Sequence, residues 1–183
     1  MPNVVMAGIE PGRMEHDLIY RGIPPKRVMK ITKGPKFGFY PYCDPNLVSG
    51  MVSDWFELRA GTPLQYLRRM ALTDELFPAL GHRLEGFAML DGQFRIVISQ
   101  RFVDPVAASP EAIAKFFKRA GFAPLLPEAW YRAADNVAVF DTGTTNILEF
   151  ARRLFPIDIL PIRPGGFMLK RIHEALRVPF SSR

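Results

Sequence analysis

The chain has 183 residues, 48% of them hydrophobic, and a formal charge of +6 from 24 lysines and arginines against 18 aspartates and glutamates. That apolar fraction can bury a sizeable core and excludes a wholly disordered chain; 17 prolines and 14 glycines without period exclude collagen-like and low-complexity classes. A single cysteine, Cys43, excludes an intramolecular disulfide framework and a thiolate zinc cluster.

No apolar run approaches the roughly 18 residues that a membrane span needs, and no charged-then-apolar signal pattern opens the sequence. The expectation is a soluble, cytoplasmic, single-domain protein. Its charge is uneven. From Arg152 to Arg183 seven basic residues face two acidic ones, so this tail carries +5. Such a tail can meet an acidic partner, or can simply be a solvated surface.

The N-terminal third reads as short strands. Val4-Val5-Met6 is an apolar run closed by Gly8, Pro11 and Gly12, and Asp17-Leu-Ile-Tyr20 is a second, ended by Gly22, Pro24 and Pro25. Arg27 to Lys33 alternates, with Val28, Lys30 and Thr32 on one face and Met29 and Ile31 on the other. Lys30 therefore shares a face with Val28, its stem buried and its ammonium near something it serves. Residues 34–61 show no sustained period and hold Pro35, Pro41, Pro45, Gly34, Gly38, Gly50 and Gly61. A loop this long is either a functional flap or a sign of a missed element, and Ser53–Arg59 could supply a short helix.

Two helices are well marked. Thr62 caps the first, Pro63 opens it, and Leu64, Leu67, Ala71 and Leu72 make a stripe that reaches Phe77. Ser109-Pro-Glu opens the second, Ile113, Phe116, Phe117 and Ala120 face its core, and Gly121 stops it. Between them Arg83–Leu90 and Gln93–Gln100 flank Asp91-Gly92, a strong hairpin signal. Strands follow at Asn136–Phe140, Ile147–Phe150 and Phe155–Leu160, then a last helix at about Phe167–Arg177 with Leu169, Ile172 and Leu176 on one side. Strands, helix, hairpin, helix, strands is a segregated order. It favours α+β over a doubly wound sheet.

The chemistry-bearing stretch is Val137 to Phe150. A β run ends on Asp141, a polar loop follows, and Asn146 opens the next β run; Asp158 ends the stretch Leu154–Ile157. Oxygen-bearing side chains at strand ends can be aimed together, and magnesium takes few hard oxygens from protein and the rest from phosphate and water. Asp141 and Asn146 can equally make a side-chain-capped turn. His16, His82 and His173 share no ligand spacing, so no histidine metal site is expected. Trp55, Phe56, Trp130 and Tyr131 read as core contacts. No element interleaves basic residues with aromatics, so nucleic acid is not an expected partner.

A strand lysine, helix, hairpin, second helix, D-x-x-x-x-N and a β-flanked Asp follow one another in the order of a protein-kinase fold. The chain resembles the small kinase-like domain found in polyvalent proteins of phages and mobile elements. The resemblance rests on Glu15-His16, Arg27–Thr32, Thr62–Leu67, Leu84-Glu-Gly86, Ile96–Gln100, Ala120-Gly-Phe122, Phe140-Asp141 with Asn146, and Pro156-Ile-Asp158, and covers about residues 13–161. It implies ATP and Mg2+ as cofactors. Lys30 matches the lysine that pairs with ATP phosphates, Asp141 the catalytic-loop Asp, Asn146 the metal-binding Asn and Asp158 the second metal-binding Asp. Gln100, Arg101, Phe102 and Val103 match the hinge that meets adenine through its backbone.

The chain also departs from that pattern. Val139 and Phe140 replace the usual His and Arg before the Asp, and Ile159-Leu160 replace the Phe-Gly after the second metal Asp. No G-x-G-x-x-G is present; Gly8, Pro11 and Gly12, with Glu15-His16, are the candidates for a phosphate-covering turn. Gln65, Arg68 and Arg69 stand where a glutamate partner for Lys30 is expected, leaving Glu57, Asp74 and Glu75 as candidates by charge. Only 25 residues follow Asp158, so acceptor recognition must use something other than a full activation segment and helical lobe. The abrupt start in a strand suggests a domain excised from a longer protein.

The resulting expectation is a minimal two-lobed protein-kinase-like α+β fold with a reduced C-terminal lobe. Residues 1–103 form the N-lobe and hinge, and 104–183 the reduced C-lobe with its basic tail. The expected function is Mg-dependent phosphoryl transfer from ATP to a hydroxyl of a protein or small molecule. The alternatives are a nucleotide-binding pseudokinase or partner-binding module without turnover, and a basic interaction domain using its tail.

Overall fold

Alternation in Arg27–Thr32 decides the centre of the first sheet. Val28, Lys30 and Thr32 are buried and Arg27, Met29 and Ile31 are half-buried, as a strand with one covered face requires. The computed structural model describes residues 16–21, 27–44, 56–102 and 106–177. The expected strand Val4-Val5-Met6, the turn glycines Gly8 and Gly12, Glu15, Trp55 and Val103 lie outside them.

The chain divides into two compact units, Met1–Phe39 with Ala60–Asp104, and Tyr40–Arg59 with Pro105–Arg183. The described residues of the first unit form an antiparallel sheet in the order β1 (His16–Arg21), β2 (Arg27–Thr32), β6 (Gln93–Arg101), β5 (Arg83–Leu90). In the register, Lys30 opposes Ile98 and Val28 opposes Gln100, so these four side chains share the covered face. Asp91 and Gly92 turn the β5–β6 hairpin with φ of +51° and +70°, the paired left-handed conformation that Asp-Gly favours.

Helix α1 (Pro63–Leu76) is opened by a reciprocal capping box between Thr62 and Gln65, at 3.3 and 2.8 Å. Its buried side matches the expected stripe at Leu72 and, partly buried, at Leu67, and departs from it elsewhere. Tyr66, Arg69, Leu72 and Thr73 are buried, whereas Leu64 is 55% exposed and Ala71 is exposed. Polar partners make the buried polar positions tolerable: the Tyr66 hydroxyl meets His16 Nε2 at 2.8 Å, and Thr73 Oγ1 is satisfied within the helix by the Arg69 carbonyl at 2.9 Å. Tyr66 also joins Phe37, Ile96 and Ile98 in the core, so its ring is buried while its hydroxyl is satisfied.

Residues 34–61 are not one long flap. They contain a two-stranded ribbon, β3 (Phe39–Tyr42) with β4 (Glu57–Ala60), and β4 replaces the short helix expected to end at Arg59. Arg59 lies over the Tyr42 ring at 3.6 Å and pairs with Glu57, a side-by-side arrangement that i, i+2 neighbours reach in a strand and not in a helix.

In the second unit, α2 (Pro110–Arg119) lies between β7 (Val106–Ala107) and the hairpin β8 (Ala123–Leu126)–β9 (Ala129–Arg132). That hairpin is absent from the sequence-based expectation. One sheet runs β13 (Leu160–Ile162), β10 (Val137–Phe140), β9, β8; the other runs β12 (Arg153–Pro156), β11 (Ile147–Phe150), β7. Phe117 anchors α2, wholly buried, stacked on Trp130 at 5.2 Å and edge-on to Phe116 and Phe122. The expected single strand Phe155–Leu160 is split between β12 and β13 at Ile157–Asp158–Ile159. Helix α3 (Gly166–Arg177) buries Met168, Ile172 and Ala175, with Lys170 and Arg177 exposed. The architecture is mixed α+β, and no described helix is long and apolar enough to cross a membrane.

Candidate functional site

Strand β10 is buried at all four positions, and the chain leaves it at Asp141, which is exposed. Asp141 has φ +57°, a left-handed conformation that aspartate tolerates better than most residues. Two bonds seat the next residue: Thr142 N donates to the Glu128 carbonyl at 3.1 Å, and the Trp130 indole donates to Thr142 Oγ1 at 3.1 Å. A turn follows, closed by Asn146 N donating to the Gly143 carbonyl at 3.0 Å.

Asn146 then links three segments. Its Nδ2 donates to the Asp141 main-chain carbonyl at 3.0 Å, and its own carbonyl accepts from Ile157 N at 2.8 Å. The β11–β12 register continues from there, with Ile147 opposite Pro156. Asp158, half-buried, is the residue after Ile157, so one asparagine fixes the backbone beside both expected acidic groups.

The donor chemistry suits magnesium. The Asn146 amide nitrogen is committed to a carbonyl, its oxygen accepts from Thr145 Oγ1 at a long 3.5 Å and keeps a second lone pair for a ligand, and Asp158 adds a carboxylate. Among the described residues no group of three or more His, Cys, Asp or Glu side chains forms a metal cage. An ion held at Asn146 and Asp158 would therefore complete its shell with phosphate and water.

Lys30 belongs to the first unit. It is 7% exposed, in line with a buried strand position on the covered face of β2. Its neighbours include a polar cluster that sequence reasoning missed. His82 Nδ1 lies 2.7 Å from Asp74 Oδ1, His82 N donates to the same oxygen at 3.0 Å, and His82 Nε2 lies 3.1 Å from Gln100 Oε1. Of the three acids considered as partners of Lys30, Asp74 is thus engaged by His82, Glu57 stands on β4 with Arg59, and Glu75 is exposed on α1. No sequence spacing links Asp74, His82 and Gln100. Only the fold brings them together.

Gln100 and Arg101 end β6 as part of the ladder. Gln100 is 3% exposed, and Arg101 N donates to the Leu80 carbonyl at 2.9 Å. That amide is committed inside the unit, so an adenine-binding role for this stretch falls on the backbone beyond Arg101. Phe102 is half-buried.

Burial, first of all, holds the His82 imidazole below its usual 6.5; the nearby Lys30 charge acts in the same direction, and hydrogen bonding to Asp74 opposes both. A histidine with a lowered folded pKa takes up its proton more readily when unfolded. Stability is then full above about 6.5 and falls as pH drops toward the folded value, by at most about 1.4 kcal/mol per pH unit for one proton. Thermal unfolding from pH 7.5 down to 5.5 should show this loss, and His82→Asn should flatten it. An equal slope in the variant would locate the acid sensitivity elsewhere.

A family model described as serine/threonine/tyrosine kinase found in polyvalent proteins matches residues 57–161, more than half of the chain. No curated protein and no solved structure matches it.

Proposed function

The chain belongs to the serine/threonine/tyrosine kinase family found in polyvalent proteins, and on that premise we propose that it is a Mg-dependent phosphotransferase moving the γ-phosphoryl group of ATP to a hydroxyl. The supporting observation is the Asn146 bridge, which holds the Asp141 loop and the Asp158 segment on adjacent backbone. In this reading the two compact units correspond to the two lobes of a minimal kinase.

Asp141 accepts the proton of the attacking hydroxyl. Asn146 and Asp158 would hold the metal, whose charge would offset that of the phosphates. Lys30 pairs with phosphate oxygens, and the backbone after Arg101 meets adenine. Little covalent chemistry falls to the protein in such a transfer; positioning and fixed charge supply most of the rate.

Nucleotide-dependent stabilisation tests the reading. ATP with magnesium at 100 times its Kd should add about 2.7 kcal/mol of apparent stability, and less without magnesium. Lys30→Met keeps the buried stem and removes the ammonium, so it should abolish most of that shift, read against the variant's own apo melting temperature. An undiminished shift in Lys30→Met would remove the lysine from the phosphate site. Binding without transfer to any acceptor would make the protein a nucleotide-binding pseudokinase.

A further inference from the structure

Beside the Asp141 loop the second unit has an open depression of ≈ 130 Å³. Pro110 and Ile113 of α2 line one side, Trp130 and Glu128 another, and Thr142, Gly143 and Thr144 form its floor. We infer that this depression binds the positively charged side chain of a peptide acceptor, a lysine or arginine one to three residues from the hydroxyl that is phosphorylated. The inference rests on the kinase reading for the hydroxyl, and on the local geometry for the charge.

Glu128 is the reason for a cation. It sits in the two-residue turn between β8 and β9 with φ +56°, a conformation that favours glycine and costs another residue on the order of 1–2 kcal/mol. Its carbonyl accepts from Thr142 N at 3.1 Å, which ties the turn to the residue after Asp141. Its carboxylate lies over the loop itself: a Cβ added at Gly143 would stand 2.8 Å from Glu128 Oε1. A strained backbone thus holds an exposed carboxylate two residues along from the expected base, and no hydrogen bond or ion pair joins that carboxylate to another described side chain.

An anion fits less well. The α2 terminus that borders the depression begins with Pro110, which has no N–H, and Ser109 Oγ already accepts from Ala112 N at 3.2 Å. Pro110, Ile113 and Trp130 instead suit the methylene stem of a lysine or arginine whose head reaches Glu128. The overall charge of +6 repels cationic peptides, so any preference for them must be local. Spacing follows from the chain: Glu128 lies over Gly143, two residues from Asp141, so at most about 7 Å of backbone separates the two places, and an extended acceptor covers that in about two residues, which sets the one-to-three-residue window.

The test uses two short blocked peptides, each with one serine among alanines, one of them carrying arginine two residues before the serine. Versions with alanine for serine give binding alone, read by fluorescence anisotropy. The arginine peptide should bind the wild type about five-fold more tightly, equivalent to about 1 kcal/mol at 1.4 kcal/mol per factor of ten, and the gap should shrink with salt. Glu128→Gln should erase the preference and raise KM for the arginine peptide without lowering kcat. Glu128→Gly should do the same while raising the melting temperature, which separates lost docking from lost folding. Gly143→Ala should weaken the preference by displacing the carboxylate, with the ATP-induced shift intact. Equal binding of both peptides by the wild type, or a preference that survives Glu128→Gln, overturns the inference. Arginine-dependent binding without any phosphorylation would keep the docking site and refute the kinase reading; phosphorylation without the preference would do the reverse.

Discussion

Asp141→Asn should cut phosphoryl transfer by about 10²–10⁴-fold, the usual contribution of a general base, and leave ATP affinity unchanged. Asparagine matches aspartate in volume and tolerates the left-handed φ of +57° as readily. The main-chain carbonyl that accepts from Asn146 Nδ2 remains in place. The variant should therefore stay within about 0.5 kcal/mol of wild-type stability, as a surface change normally does. What it removes is the acceptor for the hydroxyl proton, a contact made with the nucleophile in the transition state and not with bound ATP. Single-turnover phosphorylation and ATP-induced thermal shifts separate the two quantities. Full activity in Asp141→Asn would reduce Asp141 to a turn residue.

Much of the framework is legible in local chemistry. The Asp91-Gly92 hairpin, the Thr62 and Ser109 caps and the alternation of Val28, Lys30 and Thr32 each depend on a few neighbouring residues. The D-x-x-x-x-N stretch is legible in the same way, because Asn146 reaches back only five residues to Asp141. What stayed hidden depends on distant partners. Leu64 and Ala71 misplace one edge of the buried stripe of α1, because nothing local reveals that His16, fifty positions away, waits for the Tyr66 hydroxyl. Glycines and prolines mask β3, whose partner β4 comes after an intervening stretch outside the described residues. Helix α1, the loop before β5 and strand β6 contribute one residue each to the Asp74–His82–Gln100 cluster, and no periodicity encodes that. Glu128 is hidden for another reason. After Pro127 a glutamate reads as an ordinary surface residue, and only its place over Gly143 sets it apart.

Both Asp141 and Glu128 are non-glycine residues in left-handed backbone, and they are joined through one peptide, since Thr142 N donates to the Glu128 carbonyl. Each conformation alone costs stability, of order 1–3 kcal/mol for sparsely populated backbone. The buried runs on either side supply the compensation: β10 and β9 carry Val137 to Phe140 and Ala129 to Tyr131, all buried. Two acidic side chains are thus presented from a stiff base. Pre-organisation of that kind suits transfer chemistry, where misplacement of a reacting group by about an ångström can cost about 10²-fold.

Replacing Asn146 should have the second-largest effect, and two variants divide its roles. Asn146→Ala removes the hydrogen bond to the Asp141 carbonyl, a loss of about 0.5–1.5 kcal/mol, and removes the oxygen offered to a metal. Asn146→Asp restores an oxygen ligand but sets a carboxylate against the Asp141 carbonyl, acceptor facing acceptor. If Asn146 only braces the loop, Asn146→Asp should be at least as destabilised as Asn146→Ala, and both should show the wild-type difference between ATP shifts with and without magnesium. If its oxygen holds magnesium, Asn146→Ala should lose that difference and Asn146→Asp should keep a substantial part of it, despite its lower melting temperature. The second pattern is the expected one, because the nitrogen end of the amide is already used and magnesium seeks hard oxygen donors. Turnover should fall in both variants, since each frees the backbone of Asp141. Identical magnesium dependence in wild type and Asn146→Ala would confine this asparagine to the brace and leave Asp158 as the metal ligand.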